Sequence, residues 1–296
     1  MLLEAFVSYL SLEKKYSTHT VTAYKKDISE FTEFCGVNYQ LTSIDDVPYA
    51  FVRNWIVVLV SKEISNRSIN RKIASLKAYY KFLQKIGRVV VNPLAKHKAL
   101  KISKKIEIPF SFEEVEAALN EVDFEAGFEG ERDRLIIGLL YATGVRRIEL
   151  VNLKLKNVDV KAKTIKVLGK RNKERVVPLA PFVCPWVYSY LENREALPVI
   201  NDEAYFFLLK SGDKVYESLV YRIINRYFSK VSSKQKNSPH ILRHTFATHL
   251  LNEGADLNSV KELLGHSSLA STQVYTHNSI AELKKVHLAA HPRNKK

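Results

Sequence analysis

The sequence predicts a mainly α-helical chain with one small antiparallel β-sheet, divided into two domains. Three observations predict it. Apolar residues recur at helical spacing through the first hundred positions, two short β-rich runs flank a single basic turn near residue 170, and the charge falls in two positive blocks with an acidic band between them. A chain of 296 residues is long enough for two domains that each bury a core.

The first domain, 1–91, reads as almost all helix. Leu3, Phe6, Val7 and Leu10 share one face; Glu4 interrupts the apolar run, and no basic segment precedes it, so it reads as an amphipathic helix rather than a leader peptide. Ser17 or Thr18 caps a second helix whose face is Val21, Tyr24, Ile28, Phe31 and Phe34. A third runs from about Pro48 to Lys62, with proline in its first turn. A fourth runs from Ser65 to about Ile86, with Ile69, Ile73, Leu76, Tyr80 and Leu83 inward and Gly87 ending it. Its other face carries Arg67, Arg71, Lys72, Lys77, Lys81 and Lys85, a pattern that suits a helix packing inward and meeting phosphates outward. Residues 92–109 lack helical periodicity and are strongly basic, which reads as an interdomain linker.

The second domain, 110–296, opens on a capping box, Ser111-Phe-Glu-Glu114. A helix from about Gly130 closes at Gly144. Thr164–Leu168 and Glu174–Leu179 then form a hairpin around Gly169-Lys-Arg-Asn-Lys. Helices resume over Pro181–Glu195, Glu217–Val231, His240–Asn252, Asp256–Leu264, Leu269–Tyr275 and Ile280–Ala289. The last shows an apolar stripe (Ile280, Leu283, Val286, Leu288) with no evident partner in its own chain.

Composition narrows the function. Residues 1–105 hold 18 basic and 8 acidic side chains, 106–133 hold 1 and 10, and 134–296 hold 27 and 13. Two basic surfaces joined by a linker suit a clamp around a polyanion, which favours nucleic acid as partner. No run of about 18 apolar residues is present for a membrane span. Cys35 and Cys184 lack metal-ligand neighbours and read as small buried apolar groups in a reducing cytoplasm.

Four segments carry the chemistry. In His240-Ile-Leu-Arg-His244, Pro239 starts a helix and sets His240 and Arg243 on one face, while Leu242, Phe246 and Leu250 turn inward. Arginine holds two phosphate oxygens in a fork, and histidine moves a proton near neutral pH. A zinc pair of His240 and His244 is disfavoured by Arg243 beside it, and His244 and His249 read as core or capping groups. In Ala142-Thr-Gly-Val-Arg-Arg-Ile-Glu-Leu150, Gly144 ends one helix and Arg146 stands at the start of the next, where Glu149 either pairs with a basic group or favours the helix N-terminus. Lys170, Arg171 and Lys173 crowd the hairpin tip, where a lysine can reach a leaving oxygen. Gly265 stops a helix and presents His266, with Tyr275 nine residues on. Two arginines, two histidines and a lysine suit a phosphodiester under substitution. No glycine-rich phosphate loop and no evident carboxylate cluster for Mg²⁺ accompany them, so positive side chains would act without metal or other cofactor. A tyrosine nucleophile keeps the bond energy in an aryl phosphodiester and needs no ATP.

ATGVRRIEL, GKRNKER, HILRHTFATHLL and LGHSSLASTQVYTH, in this order and spacing, resemble the motifs of the tyrosine recombinase family, most closely its Xer-type members. The likeness spans essentially the whole chain, including the terminal His291-Pro-Arg. It implies a C-shaped two-domain DNA clamp, a helical core-binding domain followed by the catalytic one. Arg146 and Arg243 would bind the scissile phosphate, Lys170 would assist the leaving 5′ oxygen, His240 would transfer protons, His266 would hydrogen-bond the phosphate, and Tyr275 would form a 3′-phosphotyrosine. Arg67, Arg71, Lys72, Lys77, Arg171 and Lys173 are the candidate contacts to DNA. The partners implied are a double-stranded recombination site, a homo- or hetero-tetramer with a second recombinase in which the last helix docks on a neighbour, and a cell-division DNA translocase. The implied task is chromosome dimer resolution. Ile148 stands where the family has a small residue and Arg171 where glycine is common; neither removes a catalytic group. A mobile-element integrase, a type IB topoisomerase-like enzyme and a non-catalytic sequence-specific DNA-binding protein are the competing readings. Supercoil relaxation by a monomer would mark the topoisomerase, and binding without an adduct the last.

Overall fold

In a computed structural model, residues 2–102, 107–169, 173–234, 236–265 and 277–294 are described, with the side chains of 277–282 set aside. The chain divides into two compact units, Met1–Lys105 and Ile106–Lys296.

The first unit is helical. α1 (Leu2–Ser8) runs into a π turn over Tyr9–Glu13, followed by α2 (Thr18–Tyr39), α3 (Tyr49–Ser61) and α4 (Asn66–Lys85). Ser17 caps α2 and Ser65 caps α4, each side chain accepting the backbone N–H three residues on. The apolar stripes meet in one core, in which Phe6, Phe31, Ile69, Leu76, Tyr80 and Leu83 are fully enclosed. Residues 92–102, read from sequence as part of a linker, lie along this unit. Leu94 is buried, Asn70 exchanges two hydrogen bonds of 2.9 Å with the backbone of Leu100, and Asn66 donates to Lys101.

The basic face of α4 is not uniform. Arg67, Arg71, Lys81 and Lys85 are exposed, and Lys77 is half-buried. Lys72 is a correction to the sequence reading: it is only 8% exposed, and its ammonium turns inward to Asp27 (3.3 Å) and Glu30. Asp27 is fully buried on α2 and also accepts from Arg71 and from Ser75 Oγ (2.7 Å). Helical periodicity placed Lys72 outward because it carries no information about a carboxylate waiting on the next helix.

The second unit is built around α6 (Phe128–Thr143), which is enclosed along most of its length. α5 (Phe112–Asn120) precedes it behind the expected capping box, with both Ser111–Glu114 bonds formed. After the short α7 (Arg147–Val151) come β1 (Val158–Asp159), β2 (Thr164–Leu168) and β3 (Glu174–Pro178). They form an antiparallel sheet in the order β1-β2-β3, with Ile165 opposite Val177 and Val167 opposite Arg175. α8 (Cys184–Glu195), α9 (Glu217–Phe228) and α10 (Pro239–Asn252) pack on α6, and α11 (Leu257–Leu264) packs on α10. Cys35 is buried as expected, whereas Cys184 is only half-buried.

The last helix, α12 (His277–Ala290), does have a partner in its own chain. It lies against α10, α11 and β3, and Leu283 and Ala290 join Phe246, Leu250 and Leu263 in a small core. His287 is fully buried and its Nε2 lies 2.7 Å from the carbonyl of Ala142; Leu288, assigned from sequence to the packing stripe, is exposed. Beyond it, His291 packs edge-on to Tyr141, and Arg293 stacks over Phe182 and pairs with Glu116 at 3.0 Å. Among the described residues no helix is long and apolar enough to cross a membrane.

Candidate active site

Arg243 and Arg146 come together because three helix ends converge. α6 stops at Gly144, whose φ of 59° is left-handed and whose missing Cβ makes room for the Phe246 ring; a Cβ there would lie 2.3 Å from it. That turn sets Arg146 at the N-cap of α7. α10, starting at Pro239, carries Arg243 one turn in, only 8% exposed. α11 stops at Gly265, also left-handed.

The unpaired carbonyls at two of these ends hold the guanidinium groups. Arg243 donates to Gly144 O (2.6 Å) and Leu264 O (2.7 Å), and Arg146 donates to Gly265 O (3.1 Å). The carbonyl ends of helices carry partial negative charge, so they suit buried cations. Burial, then the charge of nearby Arg146, lowers the Arg243 pKa to about 10, against the opposing influence of Glu149.

Glu149 resolves both readings left open for it. One oxygen caps the Arg146 backbone N–H (2.8 Å) and the other accepts from the Arg146 side chain (2.9 Å). Burial pushes its carboxyl up, but hydrogen bonds and charge from Arg175, joined by hydrogen bonds from Arg146, outweigh this and hold it below the ordinary glutamate value.

Arg175 was missed by the sequence reading. It is 5% exposed on β3 and grips both oxygens of Glu149 at 2.7 and 2.8 Å, while its Nε donates to Leu263 O at 3.1 Å. A signal was present: in the strand Glu174-Arg-Val-Val-Pro178 the inward positions include Arg175, and an inward arginine demands a buried anion.

His240 sits at the start of α10 and is widely exposed, with Nε2 3.5 Å from Glu107 Oε2. His249 is buried between Tyr141 Oη (2.9 Å) and Phe110 O (3.0 Å), as its core reading expects, whereas His244 is exposed. Lys173 is exposed on the hairpin, and its carbonyl accepts from Gly169 at 2.8 Å. Lys170, Arg171, His266 and Tyr275 lie outside the described residues, but the chain leading to two of them is in place. Gly265, which precedes His266, accepts from Arg146; Gly169, which precedes Lys170, would place a Cβ 3.5 Å from Glu149 Oε1.

Three guanidinium groups thus surround one carboxylate, and among the described residues Glu149 is the one carboxylate bonded to any of them. The cluster holds an excess of two positive charges in a mostly buried setting, which calls for an anion from outside.

Residues 109–282 match the phage integrase family, and residues 3–87 match the phage integrase N-terminal SAM-like domain. The chain belongs to the phage integrase family: it is a tyrosine recombinase. Tyrosine recombinase XerC of Staphylococcus epidermidis is 37% identical to it over 293 residues, covering 99% of this chain and 98% of that protein. The Staphylococcus haemolyticus XerC is 38% identical, with 98% and 97% covered. Two solved structures share the recombinase's fold. XerH site-specific recombinase bound to palindromic difH substrate, a post-cleavage complex, superposes with a TM-score of 0.71 at 22% identity, covering 97% of this chain and 83% of that one. The Tn1549 transposon integrase in complex with circular intermediate DNA gives 0.69 at 20% identity, covering 95% and 98%.

Proposed function

We propose that this recombinase cuts and rejoins DNA at a specific site through Tyr275, in the resolution of chromosome dimers. The observation that carries the chemistry is the excess of two positive charges at Arg146, Arg175 and Arg243 around Glu149. A phosphodiester brings one negative charge, and its five-coordinate transition state gathers a second on the nonbridging oxygens. The site is therefore more complementary to the transition state than to the ground state.

Tyr275 Oη attacks the phosphorus and its proton passes to His240 or to water. The bond to the 5′ oxygen breaks, and Lys170 supplies that oxygen's proton. The products are a 3′-phosphotyrosine and a free 5′ hydroxyl, and the reverse attack by a 5′ hydroxyl reseals a strand without ATP. Arg146 and Arg243 bind the nonbridging oxygens, and His266 donates a hydrogen bond to one of them. No carboxylate cluster or metal enters these steps.

Arg67, Arg71 and Lys77 of the first unit, with Arg171 and Lys173 at the hairpin, supply the basic contacts to a double-stranded site, in a clamp of two domains, 1–91 and 110–296. Exposed guanidinium and ammonium groups on α4 support this reading. The full-length likeness to XerC proteins supports a cytoplasmic role in chromosome dimer resolution. It also supports assembly as a tetramer, with itself or a second recombinase, served by a cell-division DNA translocase.

The experiment is covalent trapping, in chelator, on nicked duplexes enriched by the wild-type protein from a randomised pool. Wild type is expected to give an adduct that survives denaturing electrophoresis, and Tyr275→Phe none. An adduct from the Phe variant overturns the assignment, and tight binding without any adduct points to a protein that only binds DNA.

A further inference from the structure

Arg175 touches no reacting atom in the steps above, yet it ties three segments of the site together. It sits on β3 at the stem of the hairpin that bears Lys170, and strand alternation turns it inward between exposed Glu174 and half-buried Val176. Both guanidinium termini are engaged by Glu149, and Nε by Leu263 O. These are its three donor nitrogens, all engaged by the protein, and the side chain is 5% exposed, so it stands behind the substrate surface.

Its contacts reach the other segments in one step. Glu149 caps and pairs with Arg146 on α7. Leu263 precedes the two carbonyls at the end of α11 that receive Arg243 and Arg146. Gly265 belongs to the same arrangement: a Cβ there would come within 3.1 Å of Arg175 Cδ and Nε, so the missing side chain lets the arginine lie beneath the backbone leading to His266. A bidentate guanidinium–carboxylate pair fixes the plane of the carboxylate as well as its position. With one oxygen assigned to the backbone and the other to the side chain of Arg146, that plane sets where the Arg146 fork points.

We propose that Arg175 is a positioning residue for strand cleavage, acting through Glu149 to aim Arg146 at a nonbridging oxygen of the scissile phosphate. The inference rests on the reading of Arg146 as a phosphate ligand. Lysine in place of Arg175 keeps the charge beside Glu149. Its single ammonium cannot hold both carboxylate oxygens and the Leu263 carbonyl in one plane. The Arg175→Lys protein is therefore expected to fold and to bind DNA as wild type does, and to cleave slowly.

The test compares full-length wild type and Arg175→Lys in single-turnover adduct formation on two versions of the trapped nicked duplex. One carries the natural scissile phosphodiester. The other carries a methylphosphonate there, in which a methyl group replaces one nonbridging oxygen and removes the charge that Arg146 would neutralise. On the phosphodiester the variant is expected to be slower by roughly 100-fold, as for a misaimed binding group. On the methylphosphonate the gap between the proteins is expected to shrink by about tenfold or more, because aiming Arg146 no longer matters there.

A merely structural role predicts equal deficits on both linkages, and that result overturns the inference, as does a variant that cleaves the phosphodiester at the wild-type rate. The double variant Glu149→Gln/Arg175→Gln guards against a folding defect, since losing one cation and one anion together leaves the net charge of the cluster unchanged. The same narrowing of the gap is expected of it, and equal deficits again count against the proposal. Wild type that forms no adduct on the phosphodiester defeats the phosphate-ligand reading itself, an outcome distinct from a reactive wild type matched by its variant.

Discussion

Each unit of this recombinase buries a carboxylate among cations, and the two clusters balance differently. In the first, Asp27 and Glu30 face Arg71 and Lys72, two charges against two. In the second, Glu149 alone faces Arg175 and Arg146 directly, with Arg243 held nearby by helix carbonyls. The balanced cluster ties α2 to α4 and asks for nothing more. The unbalanced one is stable only to the extent that carbonyl dipoles tolerate its excess, and it gains when an anion arrives. Excess charge, rather than buried charge, distinguishes the candidate active site from the structural cluster.

The largest effect expected from breaking this contrast is on rate. Arg243→Ala removes the preorganised donor proposed to hold the phosphate, and adduct formation in single-turnover trapping should fall on the order of 1,000-fold. The unliganded variant should be no less stable than wild type, because a buried charge without a carboxylate of its own is gone. A substantial loss of stability with cleavage intact would assign Arg243 to structure instead.

Stability should respond next. Glu149→Gln leaves three cations without their anion and should destabilise the second unit by about 3–5 kcal/mol. Asp27→Asn should cost the first unit less, about 1–3 kcal/mol, because Glu30 still holds Lys72. The protein's two tryptophans, Trp55 and Trp186, fall one in each unit, so denaturant unfolding followed by fluorescence in Trp→Phe backgrounds reads the units separately. Equal losses in the two units would erase the distinction drawn here.

Acid should act on the second unit through the seat of α12. Burial holds His287 near a pKa of about 4. Burial, then the neighbouring His287, holds His291 near about 3. Both values lie below that of an unfolded histidine, so the unfolded chain takes up protons first. The stabilisation is complete above about pH 6.5 and declines as pH falls toward the folded values. Between pH 6.5 and 5.5 the pair should cost roughly 2 kcal/mol. The decline should appear in the Trp186 transition and be halved in His287→Asn; an unchanged slope in that variant would remove His287 from the account. The smallest expected effect is that of sulfate. At ten times its dissociation constant it should stabilise the second unit by about 1.4 kcal/mol. Arg243→Ala should abolish the gain, and the Trp55 transition should not move.

Most of the architecture was legible in the sequence, since stripes such as Ile69–Ile73–Leu76–Tyr80 and caps such as Ser111–Glu114 act over a few residues. So was the placement of Arg146 and Arg243, because glycine and proline signals mark the helix ends that carry them. What stayed hidden depends on contacts between distant segments. Lys72 looked outward until Asp27 appeared 45 positions away on α2. Arg175 looked like one more basic residue of a solvated hairpin, since its partner Glu149 lies 26 positions upstream. A polar His287 carries no apolar signal, so the stripe reads through Leu288, although the face that packs is the one that bears the histidine.

The seat of α12 also bears on Tyr275, the proposed nucleophile. Tyr275 is joined to His277, the first residue of α12, by two peptide steps, a reach of about 7 Å at full extension. On its other side ten steps separate it from Gly265, a reach of about 35 Å at full extension. The start of α12 thus lies nearer to Tyr275 along the chain than Gly265 does, and α12 is anchored by the bond from His287 to Ala142 and the packing of Leu283. A variant that loosens that anchor would reach the proposed nucleophile within two peptide steps, while Arg146 and Arg243 are fastened to other helices.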